Sequence, residues 1–256
     1  MIRFRRAVCA AALLALAGPA AAEPTHVVVR ALAKDAKFIG DAMGGVEIIL
    51  TDARTGKRLG QGLTRGGTGD TKRLIVEPRV RGQPLATPEA ARFEATLDIT
   101  RPTLVKAEAR GPLGKPGATI TVASEMWLLP GKGVEGDGWV LELPGLVVEP
   151  AAGLGARPHD PLTVTAKVTL MCGCPIEPGG HWDANQYDVH ATLLGPGDRP
   201  LGEATLAYAG APSTFSGELP PPDKGDYRVV VTARNAATGN TGVGETKGTI
   251  LVVNTR

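Results

Sequence analysis

Leu162, Val164, Ala166, Val168 and Leu170 alternate with Thr163, Thr165, Lys167 and Thr169. Alternation with period two puts every apolar side chain on one face of an extended chain, whereas a helix needs its apolar stripe every three or four residues. This segment is therefore predicted as a strand with one buried face. Phe93-Glu94-Ala95-Thr96-Leu97-Asp98-Ile99 and the stretch from His26 to Lys34 follow the same rule. Between such runs the chain is broken by 34 glycines and 21 prolines, a density that with few aromatics suits many short strands joined by turns better than long helices. The predicted class is all-β.

Further strands are predicted at 45–50, 58–64, 72–76, 91–100, 103–110, 119–129 and 139–148. After these come 187–194, 203–208, 214–219, 227–233 and 246–253. The runs 45–50 and 58–64 are joined by Asp52-Ala53-Arg54-Thr55-Gly56-Lys57, which reads as a hairpin turn because Gly56 supplies the positive φ it needs. Pro78, Pro84 and Pro88 mark a loop, with the start of one helical turn at 87–91. Residues 150–158 are small, Gly- and Pro-bearing and without period, and read as an interdomain linker. The expected layout is two β-sandwich modules in tandem, 23–149 and 159–256.

Residues 1–22 read as a secretory signal, with Arg3, Arg5 and Arg6 in the charged region, an apolar run over 7–17, and an A-x-A site at Ala20-Ala21-Ala22. That apolar run is shorter than the roughly 20 residues of a membrane span, and no later run is longer. A periplasmic or secreted destination is expected. Removing its three arginines from the 28 basic residues leaves 25 against 26 acidic ones. No clustered basic excess calls for nucleic acid or an anionic surface.

Two cysteines remain beyond this segment, in Met171-Cys172-Gly173-Cys174-Pro175. On a flat strand, residues i and i+2 stand about 7 Å apart, near the limit for bridging, so a disulfide needs the bend that Gly173 and Pro175 permit. In an exported protein oxidation is the default fate of paired thiols. A second reading takes Met171, Cys172, Cys174 and His181 as soft ligands for copper, or less readily zinc, with His190 and His159 as further candidates. A third is thiol-redox chemistry, although the spacing is CxC and not the CxxC of a helix N-terminus.

Phe215-Ser216-Gly217-Glu218-Leu219, then the run Gly225-Asp226-Tyr227 through Asn235, then Gly239-Asn240, resembles the end of a bacterial Ig-like or fibronectin-type β-sandwich module. The resemblance implies a tyrosine-corner role for Tyr227, and with Val229 two residues on it implies no inter-sheet disulfide. The run Gly45-Val46-Glu47-Ile48-Ile49-Leu50-Thr51-Asp52-Ala53-Arg54-Thr55-Gly56 resembles a transthyretin-like or carboxypeptidase-regulatory-like module.

The segment 175–188 is dense in polar and aromatic residues. His181, Trp182, Asp183 and Tyr187 are its binding candidates, with the alternative that Trp182 closes one end of a sandwich. Trp127 and Trp139 bracket a Gly-rich loop, either as a carbohydrate platform or packed across a hairpin. The loop 65–72 lacks the spacing of a phosphate-binding loop, and neither G-x-S-x-G nor H-E-x-x-H occurs. The expected function is an exported, non-catalytic binding or scaffolding protein contacting an envelope protein or a small ligand. The alternatives are a periplasmic metal-binding protein and a thiol-redox enzyme.

Overall fold

The computed structural model describes residues 23–153, 160–221 and 225–250. The signal segment, Cys9, His159 and residues 154–158 of the expected linker lie outside them. The described chain is all-β, as the alternation predicts. In order come β1 (Glu23–Ala33), β2 (Glu47–Asp52), β3 (Arg58–Leu63), β4 (Phe93–Ile99), β5 (Thr103–Gly111), β6 (Ile120–Leu128) and β7 (Val134–Leu143). They are followed by β8 (Leu146–Gly153), β9 (Leu162–Leu170), β10 (Tyr187–Leu194), β11 (Pro200–Thr205), β12 (Ala207–Tyr208), β13 (Thr214–Leu219), β14 (Gly225–Asn235) and β15 (Thr241–Ile250).

These strands form two sandwiches. In the first, a three-stranded sheet of order β4-β1-β7 faces a four-stranded sheet of order β3-β2-β5-β6. In the second, β12-β13-β9-β8 faces β11-β10-β14-β15. The alternation of β9 is realised as read: Leu162, Val164, Ala166, Val168 and Leu170 are buried between the sheets.

The β2–β3 hairpin forms where predicted. Asp52 is buried at the turn, and its Oδ1 accepts the main-chain N–H groups of Arg54 at 2.9 Å and Thr55 at 3.1 Å. Gly56, at φ 74°, donates back to the Asp52 carbonyl. Those N–H groups hold the Asp52 carboxyl below its ordinary range.

Three expectations need correction. Residues 72–76 are not a strand but one π-helical turn, Lys72–Val76, begun by Asp70 accepting from the Arg73 N–H. The turn buries Leu74 with Leu32, Phe38, Ala90 and Ala91 on the outer face of the β4-β1-β7 sheet, so tertiary burial overrides local strand propensity. Arg30 ties this excursion down: its guanidinium lies over Phe38 and donates to the carbonyls of Ala90 and Ala91, while its Nε is buried without a partner.

The run predicted as one strand over 139–148 is instead the end of β7 and the start of β8, separated by Pro144-Gly145. The chain therefore passes between sandwiches there, ahead of the expected linker. Pro150 through Gly153 are paired with residues of β9, from Ala166 to Thr163. Proline is tolerated at this position because β8 is an edge strand in its sheet.

The second sandwich is closed where β8 meets β15. A Cβ on Gly242 or Gly244 would run into the carbonyl oxygens of Leu146 and Val148, so only glycine lets the two edges approach this closely. The two sandwiches share one continuous apolar core.

Candidate functional site

β9 ends at Leu170, and the chain turns back on itself. The Gly173 N–H donates to the Leu170 carbonyl at 2.8 Å, with Gly173 at φ 77°. This bend brings the Cα atoms of Cys172 and Cys174 to 5.4 Å, and the two are joined by a disulfide. Both cysteines are buried, as is Met171, which packs against Gly145 at the crossover between sandwiches. A Cβ on Gly173 would stand 2.8 Å from the Met43 sulfur, so the first sandwich presses directly on the disulfide loop.

With the sulfurs bonded to each other, the pair is in its oxidised state, and thiolates for a metal or for redox chemistry form only once the bond is reduced. His181 is exposed and packs edge-on against Trp182. Among the described residues, no three His, Cys, Asp or Glu side chains converge as a metal group.

The segment after the disulfide turns its aromatic residues inward, which corrects the expectation that they form a contact surface. Trp182 and Tyr187 are both buried. The Trp182 indole Nε1 donates to the Asp35 carbonyl of the first sandwich at 2.8 Å. Tyr187 faces Asn235 across the β10–β14 pairing, and burial raises the phenol above its ordinary pKa. Asp183 caps the turn Ala184–Gln186 by accepting the Asn185 N–H, and this N–H together with that of Gly179 lowers its carboxyl pKa. Of the four binding candidates, only His181 remains exposed.

The tryptophans at 127 and 139 do not share a face. Trp139 is buried and donates to Ser124 Oγ at 2.8 Å, whereas Trp127 is 56% exposed on β6. The ring of Tyr227 packs over Gly248 of β15, where a side chain would collide with the phenol.

A feature absent from the sequence reading lies between the two sandwiches. It is a cleft of ≈ 730 Å³, walled on one side by residues 117–120 of the first sandwich and on the other by the outer face of β10, β14 and β15. Leu146 and Met171 line it on the apolar side; Asp188, His190 and Arg234 line it on the polar side. Asp188 and Arg234 are directly opposite in the β10–β14 register, yet neither makes an ion pair among the described residues. The His190 Nδ1 lies 3.3 Å from Thr205 Oγ1. Such a cleft offers an acceptor, a fixed cation and an imidazole above an apolar floor, which suits binding of a ligand with both charges. Its polar residues occupy the outward positions of alternating strands, where charged residues are ordinary; of them the sequence singled out only His190, as a further metal-ligand candidate, and gave no sign of Asp188 or Arg234.

The chain matches no protein-family model and no curated protein. Fold and site together define a tandem β-sandwich protein with a short disulfide loop packed at the junction and a cleft between its sandwiches.

Proposed function

We propose that this chain is an exported, non-catalytic binding or scaffolding protein whose two sandwiches act as one rigid unit. The observation that carries this reading is the cleft: its walls come from both sandwiches, and the aromatic loop that could have been a free contact surface is used to fix them together. Preorganising both walls lowers the ordering cost of binding.

The second sandwich is, on this reading, an Ig-like module. Support comes from the four-on-four arrangement in which β8, β9 and β13 face β10, β14 and β15, alongside the residues from Phe215 to Asn240 that carry the resemblance. For the first sandwich, the likeness to transthyretin-like modules rests on the β2–β3 hairpin. Export is supported by the arginine, apolar and A-x-A pattern of residues 1–22 and by the oxidised cysteine pair.

A photo-crosslinking residue placed at Val243, 52% exposed and lining the cleft, tests the site against the same residue at Val80, 55% exposed on the first sandwich and outside the cleft lining. In the native envelope fraction, a discrete adduct from Val243 that is lost with Arg234→Ala is expected. Equal adducts from both positions, or none from Val243, would overturn the cleft as the contact site.

A further inference from the structure

Most strand edges of this protein are blunted. β8 and β15 close on each other, as do β3 and β4, where Gly62 admits the Phe93 ring. β12 is two residues long and β11 begins with a proline. β7 carries three carboxylates and β4 two. β6 differs in length and charge. It is nine residues long, Ile-Thr-Val-Ala-Ser-Glu-Met-Trp-Leu, with one charge, no glycine and no proline. Among the described residues its main chain pairs with β5 alone, and β7 packs beside it without pairing, Trp139 donating to Ser124 Oγ. An edge of this kind is a template for another strand.

Its inward-facing side chains are unfinished. Val105, Ala107 and Ala109 of β5 are fully buried, whereas their cross-strand neighbours Met126, Ser124 and Val122 stay partly or wholly exposed. At the end of the strand, Trp127 is 56% and Leu129 49% exposed.

The order of residues along β6 says what covers it. Turned about Ser124, the strand matches itself: Val122 faces Met126, Ile120 faces Leu128, Thr121 faces Trp127, and Ala123 faces Glu125. Apolar residues meet apolar ones on the inner face, and no charge directly opposes a like charge. We propose that β6 pairs antiparallel with β6 of a second copy of this chain, about a two-fold axis at Ser124, making one eight-stranded sheet. Such a contact is isologous and closes on itself, leaving no free β6 edge in the dimer. The two Glu125 carboxylates are then diagonal neighbours, a modest repulsion at the distances between such positions.

Sedimentation equilibrium of the purified protein tests this. Wild type is expected to run as a concentration-dependent dimer. Ala123→Glu, at an exposed position, sets a carboxylate opposite Glu125 twice and is expected to weaken the dimer about tenfold or more. Ala123→Lys sets a cation there and is expected to keep or tighten it. Combining Ala123→Glu with Glu125→Ala restores one carboxylate per facing pair and is expected to restore the dimer, which a misfolded variant would not do. A wild type that stays monomeric to several hundred micromolar overturns the proposal, as does a dimer that responds equally to both charges or is not rescued.

Discussion

The Trp182 indole of the second sandwich donates to the main-chain carbonyl of Asp35 in the first, at 2.8 Å and 147 residues away in sequence. Nearby, the Asn240 side chain donates to the Lys34 carbonyl and accepts the Gly145 N–H, so the carbonyls of one β1 turn and the crossover residue are all tied to the second sandwich. Each is a buried or half-buried main-chain group that would otherwise be left unpaired, which makes the junction costly to separate.

The two sandwiches should therefore unfold together. Wild type is expected to show one urea transition by both circular dichroism and tryptophan fluorescence. Trp182→Ala removes a buried aromatic and should cost about 3–5 kcal/mol, with the two probes no longer coinciding. A single transition at an unchanged midpoint would contradict the joint role of Trp182.

Gly173 supports a second test at the same junction. Gly173→Ala meets both a positive φ and the Met43 sulfur, and should cost about 1–3 kcal/mol. Truncating Met43 to Ala in that background removes the collision but not the backbone strain. The cycle should then show coupling of about 0.5 kcal/mol or more, measured from urea midpoints; strict additivity would mean the two residues do not touch.

The Cys172–Cys174 bond closes a very short ring, for which loop-closure entropy amounts to only about 1–2 kcal/mol. Replacing both cysteines by alanine should thus lower stability by about 2 kcal/mol without abolishing folding. Intact mass before and after alkylation checks the starting state: wild type should take up alkylating reagent at neither cysteine of the pair until reduced and unfolded.

Buried Tyr187 has a raised pKa, chiefly through desolvation. Below pH 10 the phenol is neutral in folded and unfolded chains alike, and it adds no pH dependence. Above pH 10 the unfolded chain ionises first and binds fewer protons than the folded one, so stability falls as pH rises toward the folded pKa. Tyr187→Phe, which removes the ionisable group, should show a smaller drop in Tm between pH 9 and pH 11 than wild type does. Equal drops would show that Tyr187 ionises freely in the fold.

The β2–β3 hairpin, the buried face of β9 and the disulfide were all legible before the structure. Each depends on residues close in sequence: Asp52 and Gly56 shape one turn, Leu162 to Leu170 share one face, and Cys172 and Cys174 are two residues apart. Residues 72–76 were misread for the opposite reason. Leu74 is in a π-helical turn because Phe38 and Ala90, far along the chain, supply an apolar surface for it. The aromatic loop shows the same divide, since its composition announced a site but not which way Trp182 and Tyr187 would point.

The sequence by itself determined that the chain is a series of strands, which faces of those strands are apolar, and that a bend at Gly173 can bridge the cysteines. These follow from side-chain period and local backbone geometry alone. Tertiary structure decided the rest. Pro144-Gly145 became the crossover because Leu146–Gly153 found a partner in β9. Trp182 became a tie between sandwiches because the Asp35 carbonyl lay within its reach. The cleft exists only because residues 117–120 come to face β10, β14 and β15. Burial and hydrogen-bond pairing across long sequence distances settle such matters, and no local pattern encodes them.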